Sequence, residues 1–364
     1  MGKLMRKATG LTVGVATLLA GLVLPMTASA ESASPIDASP IIHYSFDNAL
    51  TSKTIANEGS AANSDATLSG DATVANGQIS LTGSQTISVP TTAIAGKKDV
   101  TVSIWLKNNY GNGNTAAAYI GAAKTGNYPA NGYWLLNPAN PSGYAKSVMT
   151  NATAADPNNS PWGTEVGPGS TNAATTGTKA TSDLALYTTV ISGTNSTMSF
   201  YLNGKQVGDV TYTIPAGGLT NYGDLVAYIG KSSYADPNSK LDVDDYAVYD
   251  TAISAADVTK LYDAQVLDKA EAAVKAAVPA SATEDFALPT SAAGVSIAWK
   301  SDNAAIAVDN ATGKATVTRP AATAADAEVT LTATFGNNAK TAAYTVLVPK
   351  QLSDAEQAKA CLLY

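Results

Sequence analysis

Four aspartates lie close together in the second half of the chain, and three kinds of chemistry would suit them. They are Asp242, Asp244, Asp245 and Asp250, within the stretch SKLDVDDYAVYDTAIS. Paired carboxylates act as the acid and base of glycosidases, and carboxylate oxygens also bind hard metal ions such as Ca²⁺. In the third interpretation the carboxylates are structural and accept hydrogen bonds from backbone amides at a strand end.

Strand geometry decides which of these aspartates could act together. Side chains alternate between the two faces of a strand. The alternation predicts one face with Asp242, Asp244, Tyr246, Val248 and Asp250, and the other with Leu241, Val243, Asp245, Ala247 and Tyr249. Asp242 and Asp244 would lie about 6.5 Å apart along the strand, near the roughly 5 Å of a retaining glycosidase. No glutamate lies nearby to act as an acid with a raised pKa, so the pattern does not favour catalysis.

Other catalytic groups are scarce. The chain has one histidine, His43, in the apolar stretch IIHYSF, and one cysteine, Cys361, close to its end. A serine or cysteine hydrolase needs a histidine base, but no G-x-S-x-G elbow is present and His43 is predicted to be a structural strand residue. A single cysteine also excludes an intramolecular disulfide. We therefore predict that the residues present are non-catalytic.

Aromatic residues are concentrated in the Gly-, Asn- and Pro-rich stretch from Asn108 to Gly169. They are Tyr110, Tyr128, Tyr133, Trp134, Tyr144 and Trp162. Sugars stack their apolar C–H faces on aromatic rings, and a concave site adds a few polar groups for their hydroxyls. We predict carbohydrate contacts at Trp162, Trp134, Tyr133, Tyr128 and Tyr110, although one of the adjacent pair Tyr133–Trp134 must face inward. Trp105 and Trp299 lie in apolar strands and are predicted to be core residues.

The elements that would position these residues are short strands from Ile41 to about Asp263. Examples are VTVSIWLK at residues 100–107, LYTTVIS at 186–192 and VAYIG at 226–230. Asn203-Gly204 between two apolar runs is a strong hairpin signal. No helical pattern interrupts this region, so a two-sheet sandwich is predicted.

A helical region follows. Ser254 and Asp257 fit a capping box, and an Ala-rich stretch from Ala264 to Val278 ends before Pro279, which predicts a stiff connector. Strands return between residues 280 and 350 around Trp299, typical of a small immunoglobulin-like sandwich without a disulfide. Residues 351–364 begin a capped helix at Ser353 and end in CLLY, so we expect a chain shortened relative to a longer protein.

The N-terminus predicts export. A cationic start, an apolar run from Leu11 to Leu24 and the small residues Ala28-Ser29-Ala30 form a signal peptide over residues 1–30, followed by a linker over 31–40. The net charge is −7 and there is no basic stripe, which argues against nucleic acid as a partner. No later segment is apolar enough to insert into a membrane. We expect a monomeric all-β protein that is secreted, either free or associated with the cell surface.

Two regions resemble known families. IIHYSFDNAL, VTVSIWLK, MSFYLNGKQVGD and LDVDDYAVYDTAISAADVTKLY are similar, in this order, to the opening strand, Trp strand, hairpin and closing strand of laminin-G-like, concanavalin-type jelly rolls. FALPTSAAGVSIAWKSDNAAIAVDNATGKATVTRP resembles the atrophied bacterial immunoglobulin-like domain. The resemblance implies a jelly roll over residues 41–263, a helical connector over 264–279 and an immunoglobulin-like domain over 280–350.

The resemblance also implies a role. These two modules accompany secreted bacterial glycoside hydrolases that act on arabinose- or xylose-containing plant polymers, which implies a carbohydrate-binding accessory module. It further implies a structural Ca²⁺ ion held by Asp47 on the first strand and Asp244 on the last. Two other functions stay open at this point: a cell-surface adhesion or protein-binding module, and a jelly roll that is itself a glycosidase.

Overall fold

The computed structural model describes residues 36–123, 132–150, 161–170, 177–209, 211–336 and 340–354. The predicted signal peptide, Tyr128 and Cys361 lie outside these ranges. Strands β1 to β17 form the first domain. In chain order they are β1 (Ile42–Tyr44), β2 (Thr54–Ile55), β3 (Ala66–Ser69), β4 (Thr73–Ala75), β5 (Gln78–Thr82), β6 (Thr86–Val89), β7 (Asp99–Asn108), β8 (Ala118–Ala122), β9 (Tyr133–Asn137), β10 (Lys146–Thr150), β11 (Glu165–Val166), β12 (Ala185–Ser192), β13 (Thr197–Leu202), β14 (Lys205–Gln206), β15 (Tyr212–Thr213), β16 (Leu225–Ile229) and β17 (Lys240–Tyr249).

These strands form two antiparallel sheets that pack face to face. One sheet has nine strands in the order β14-β13-β12-β7-β17-β5-β4, with β1 beside β17 and β15 beside β13. The other has eight strands in the order β11-β10-β9-β8-β16-β6-β3-β2. Apolar side chains from both inner faces, such as Ile104, Trp134 and Tyr246, fill one core. The predicted two-sheet sandwich is confirmed.

Local sequence signals set several of the connections. Asn203 (φ 51°) and Gly204 (φ 73°) both have left-handed backbone conformations between β13 and β14. A two-residue hairpin turn of this kind needs positive φ at both positions, which Asn and Gly tolerate best. The register Leu202–Lys205 closes this hairpin, as Asn203-Gly204 predicts.

The central strand β17 contains a bulge. Its register with β7 shifts between Val243 and Tyr246. Leu241 and Val243 face the core, and so do Tyr246 and Val248. The predicted alternation is therefore wrong beyond Val243, because the extra residue exchanges the two faces of the strand.

One helix, α1 (Ala255–Ala277), joins the domains. Ser254 is its N-cap, and its side chain accepts a hydrogen bond from Asp257 N at 3.1 Å, which confirms the predicted cap. The two predicted helical stretches are a single helix. Val258 and Leu261 pack on the first domain, while Ala270 and Val274 belong to the core of the second.

The second domain consists of strands β18 (Phe286–Ala287), β19 (Ser291–Ala292), β20 (Val295–Ser301), β21 (Ile306–Asp309), β22 (Lys314–Val317), β23 (Ala327–Phe335) and β24 (Lys340–Val348). They form a three-stranded sheet, β18-β22-β21, and a four-stranded sheet, β19-β20-β23-β24. Trp299 is buried in the core of this small sandwich, as predicted, and its Nε1 donates to Pro289 O at 2.8 Å.

Trp105 is fully buried, but not in the core between the two sheets. Its ring stacks on Tyr262 of α1 (centroids 5.9 Å apart), and its Nε1 donates to Gln265 Oε1 at 2.8 Å. Ala293 and Val295 of the second domain pack against the same cluster. Trp105 therefore fastens the helix and the second domain to the outer face of the nine-stranded sheet.

Over the described ranges, no helix is long and apolar enough to cross a membrane.

Candidate functional site

A pocket of about 510 Å³ lies on the outer face of the eight-stranded sheet. Strands β9 and β10 and the start of β11 form its floor, and the loop that follows β16 forms one side. Tyr133 and Leu135 of β9 point outward into it, while Trp134 and Leu136, which alternate with them along the strand, point into the core. Its volume is in the range of about 300–1,000 Å³ typical of small-molecule sites.

Aromatic rings build the wall of the pocket. Trp162 lies in a short 3₁₀ turn (Pro161–Thr164) immediately before β11 and is 45% exposed. Its ring meets Tyr234 edge-on at 6.0 Å, and Tyr234 meets Tyr133 edge-on at 5.7 Å. Tyr133 in turn stacks on the buried Tyr119 at 5.7 Å. The stack fixes the exposed rings from behind, so they present a pre-formed apolar surface.

Three charged side chains line the same pocket, and we call them the pocket cluster: Lys146, Glu165 and Asp236. Lys146 Nζ lies 2.7 Å from Glu165 Oε2, and the Tyr133 hydroxyl donates to Glu165 Oε1 at 2.8 Å. Burial raises the pKa of the Asp236 carboxyl, although the Lys146 ammonium opposes the shift. The pocket thus combines an apolar wall with polar groups, of which Lys146 and Glu165 hold each other in position.

The structure separates the residues predicted to contact carbohydrate. Trp162 and Tyr133 both line the pocket. Trp134 does not, because the alternation of β9 turns its fully buried ring into the core, where its Nε1 donates to Ser147 Oγ at 3.2 Å. Tyr110 is half-buried and lies outside the pocket lining. Tyr128 lies outside the described residues.

The pocket residues that were not predicted include Lys146, Glu165, Tyr234 and Asp236. Glu165 and Lys146 come together because β11 pairs with β10, a pairing that leaves no local mark in the sequence. Tyr234 and Asp236 lie in SSYADPNS between β16 and β17. The presence of the aromatic Tyr234 within this polar turn is the sequence signal that could have indicated a ligand contact.

The closely spaced aspartates lie outside this pocket, and they do not all share one site. Asp242 accepts hydrogen bonds from Ser80 Oγ at 2.7 Å and Asn109 Nδ2 at 2.9 Å. Asp244 and Asp245 lie at the bulge of β17, and both pair with Lys269 of α1, Asp245 at 2.5 Å. Asp242 and Asp244 are therefore not a catalytic pair, because each is already bound to a different part of the structure.

His43 completes this second group, which we call the helix-docking cluster: His43, Asp244, Asp245 and Lys269. His43 Nε2 lies 3.0 Å from Asp245 Oδ1, and its Nδ1 lies 3.6 Å from Glu58 Oε2. Strands β1 and β17 run side by side, with His43 opposite Ala247. His43 thus has a structural place on the first strand.

Burial and charge act on the cluster in opposite directions. Burial, aided by repulsion from Asp245, outweighs the attraction of Lys269 and raises the pKa of Asp244 to about 7. Burial also opposes ionisation of Asp245, but His43 and Lys269 overcome it and lower the pKa of that carboxyl. Burial would lower the pKa of Lys269, yet the two carboxylates raise it above its usual range. One ammonium therefore stays charged between two carboxyls.

The predicted Ca²⁺ ligands do not fit a shared ion in this arrangement. Asp244 is buried and bound by an ammonium, whereas Asp47 is exposed in the loop after β1. Within the described ranges, no group of three or more His, Cys, Asp or Glu side chains could hold a metal ion. Lys269 supplies the positive charge that an ion would otherwise bring.

The fold and the pocket define a class of protein: a concanavalin-type jelly roll joined to an immunoglobulin-like sandwich. Family models agree with this class. Residues 81–259 match the concanavalin A-like lectin/glucanases superfamily, and residues 266–351 match the atrophied bacterial Ig domain. The chain thus carries a domain of the first family followed by a domain of the second, in the predicted order.

Comparison with curated proteins gives no match. Among solved structures, the chain is similar to domain 4 of AbnA, a GH43 extracellular arabinanase from Geobacillus stearothermophilus, in complex with arabinotriose (19% identity, 62% of this chain and 98% of that one, TM-score 0.43). It is also similar to Trypanosoma rangeli sialidase (12% identity, 67% of this chain and 36% of that one, TM-score 0.45). A third similar structure is the receptor-binding domain of botulinum neurotoxin C/D mosaic serotype (15% identity, 84% of this chain and 72% of that one, TM-score 0.45). The match spans about a third of the sialidase. At these TM-scores the likenesses carry no argument about function.

Proposed function

We propose that this protein is a secreted, non-catalytic carbohydrate-binding module that accompanies a glycoside hydrolase acting on plant polysaccharide of the arabinan or xylan type. The observation that carries the proposal is the open pocket in which Tyr133, Trp162 and Tyr234 face the charged groups of the pocket cluster. Export is supported by the cationic and apolar pattern of residues 1–30 with its Ala-Ser-Ala site.

The chemistry of the pocket suits a sugar. The exposed ring of Trp162 offers a flat apolar surface for C–H groups, and the edge-on contact with Tyr234 holds that ring in place. Carboxylates and an ammonium beside it exchange hydrogen bonds with hydroxyls, and such charge-assisted bonds are stronger than neutral ones. Since Lys146 and the Tyr133 hydroxyl are already held by Glu165, these two side chains lose little entropy on binding.

Hydrolysis by the pocket itself is the second candidate. Two carboxyls, Glu165 and Asp236, line one cavity, and burial raises the pKa of Asp236, a property of general acids in glycosidases. Against this, Glu165 is already bound by Lys146 and by the Tyr133 hydroxyl, contacts that compete with a reacting sugar. The superfamily name covers both lectins and glucanases, so the family leaves binding and hydrolysis both open.

Affinity electrophoresis tests the proposal. The mature chain, from residue 31 onward, is run in gels that contain debranched arabinan, xylan or galactan. We expect at least one polysaccharide to retard the parent, and Trp162→Ala to lose most of that retardation. One aromatic contact contributes about 0.5–1.5 kcal/mol beyond its buried area, which corresponds to a roughly 2- to 12-fold loss of affinity.

Tyr110→Ala is the matched control, since it removes an aromatic ring outside the pocket from the same part of the chain. Parent-like retardation of Trp162→Ala in every gel that retards the parent would place the binding surface elsewhere. If no polysaccharide retards the parent, the proposal fails and adhesion becomes the better interpretation. Release of reducing sugar by the parent would favour hydrolysis.

A further inference from the structure

The charges of the pocket cluster bear on which sugars the pocket accepts. Its lysine is already committed, because Lys146 Nζ lies 2.7 Å from Glu165 Oε2. The Glu165 side chain is only 3% exposed, against 16% for Lys146. Glu165 therefore forms the base of the pocket as a fixed carboxylate, and the ammonium lies on top of it.

Asp236 adds a second carboxyl to the pocket lining, within electrostatic reach of the same ammonium. Burial disfavours its charge, and Lys146 partly restores it. One ammonium thus serves two carboxyls, and the pocket carries a net negative charge whenever Asp236 is ionised.

Among the described residues that line the pocket there is no arginine, the side chain best suited to bind a ligand carboxylate. Arginine binds carboxylates through two parallel hydrogen bonds, whereas lysine acts as a point charge. The arginines of the sequence are Arg6 and Arg319. Arg319 lies in the second domain, where it donates to Pro349 O, and Arg6 is outside the described residues.

We propose that the pocket selects neutral oligosaccharides and rejects sugars that carry a carboxylate, such as uronic and sialic acids. This inference rests on the proposed function and names its ligand class. A hydroxyl can donate to Asp236 or Glu165 and accept from Lys146. An incoming carboxylate would meet two like charges and a lysine whose charge Glu165 already neutralises, and like charges placed together oppose binding.

The test uses one polysaccharide in three chemical forms. A neutral polymer that retards the parent is compared with its carboxymethylated form and with its hydroxyethylated form, which adds similar bulk without charge. The gels contain about 1 M salt, because at that ionic strength the Debye length is about 3 Å and repulsion from the protein's overall charge is screened.

We expect the native and hydroxyethylated polymers to retard the parent similarly. The carboxymethylated polymer should bind with more than about tenfold lower affinity, because like charges placed together in an interface strongly oppose association. Asp236→Asn should reduce the difference in affinity between the native and the carboxymethylated polymer. Asp183→Asn, which removes the same charge at an exposed position outside the pocket lining, should leave it unchanged.

The outcomes separate this inference from the proposed function. Equal retardation by the native and carboxymethylated polymers would overturn the selectivity while leaving carbohydrate binding in place. A difference that is the same in the parent, Asp236→Asn and Asp183→Asn would also overturn it, since the pocket charge would then not be its cause. If no neutral polymer retards the parent, the proposed function and this inference fail together.

Discussion

Two lysines each lie against a buried carboxyl, Lys146 against Glu165 and Lys269 against Asp244, and the two groups differ mainly in what covers them. Lys146 and Lys269 have the same side-chain exposure, 16%. The pocket cluster opens into a cavity of about 510 Å³ with an exposed tryptophan beside it. The helix-docking cluster lies beneath α1, which itself provides the lysine. The same residue types thus form a candidate ligand site in one place and an attachment point in the other.

The attachment point has two halves. Lys269 binds the bulge of β17, and Tyr262 stacks on Trp105 of β7 at 5.9 Å. Both contacts lie on the outer face of the nine-stranded sheet, and Ala293 and Val295 of the second domain extend the apolar half. We infer that this combination fixes the direction of the helix, because an ion pair of defined geometry adds orientation to an apolar contact.

The strongest test of the difference between the pocket cluster and the helix-docking cluster is to remove the ammonium of Lys269. Lys269→Met should lower the free energy of unfolding by about 3–5 kcal/mol, because removing one partner leaves buried carboxyls without a compensating charge. Urea denaturation near pH 8, where Asp244 is more fully ionised in the folded state, measures the effect. Lys260→Met is the control, since Lys260 pairs with Asp257 at 3.0 Å on the helix surface, and surface pairs contribute about 0–1 kcal/mol.

Equal losses in the two variants would show that the helix-docking cluster behaves as a surface pair. In that case the apolar contact between Trp105 and Tyr262 would hold the helix alone, and the contrast with the pocket cluster would disappear.

Much of the fold follows from local patterns in the sequence. Period-two alternation, the Asn203-Gly204 turn and the Ser254 cap each depend on a few neighbouring residues, and all three appear in the structure. The bulge at Asp244–Asp245 does not follow from such patterns, since one added residue leaves the run of residue types looking like an ordinary strand. The faces assigned beyond Val243 were wrong for this reason.

The sites were harder to predict because they depend on distant pairings. Trp105 lies in an apolar strand whose two faces are both buried, one by the other sheet and one by α1, and the sequence does not distinguish them. Trp162 and Tyr133 were predicted from their aromatic character. Their partners Glu165 and Tyr234 join them only through strand order and a loop between β16 and β17.

A second, smaller effect should appear in the pH dependence of stability. The folded protein keeps a proton on Asp244 up to about pH 7, whereas an unfolded chain releases it near pH 3.9. Between these values the folded state binds more protons, so the contribution of this carboxyl is fully present below about pH 4 and is lost as the pH rises. For one proton the slope is at most about 1.4 kcal/mol per pH unit.

Asp244→Asn should therefore flatten the stability profile between about pH 4.5 and 6, as measured by urea denaturation at each pH. The charged groups around Asp244 are Lys269, Asp245 and Asp47, and His43 and Glu58 lie beyond Asp245. The raised pKa of His43 acts above about pH 6.5 and the lowered pKa of Asp245 below about pH 4. Burial also raises the pKa of Asp236, but that carboxyl is present in both the parent and the variant, so the difference between their profiles reports on Asp244. Parallel profiles for the parent and the variant would assign the pH dependence to other groups.

The smallest expected effect is that of metal removal, and it distinguishes an ammonium from a bound ion. A Ca²⁺ ion at 100 times its Kd would stabilise the folded state by about 2.7 kcal/mol, and for a domain of this size each kcal/mol shifts Tm by roughly 2–4 °C. Because Lys269 already provides the positive charge beside Asp244 and Asp245, EDTA should leave the Tm of the parent unchanged, as measured by calorimetry in EDTA and in excess CaCl2. A drop of several degrees in EDTA that Asp47→Asn abolishes would instead establish the Ca²⁺ site that the family resemblance implies, and the helix-docking cluster would then resemble a ligand site more closely than its covered position suggests.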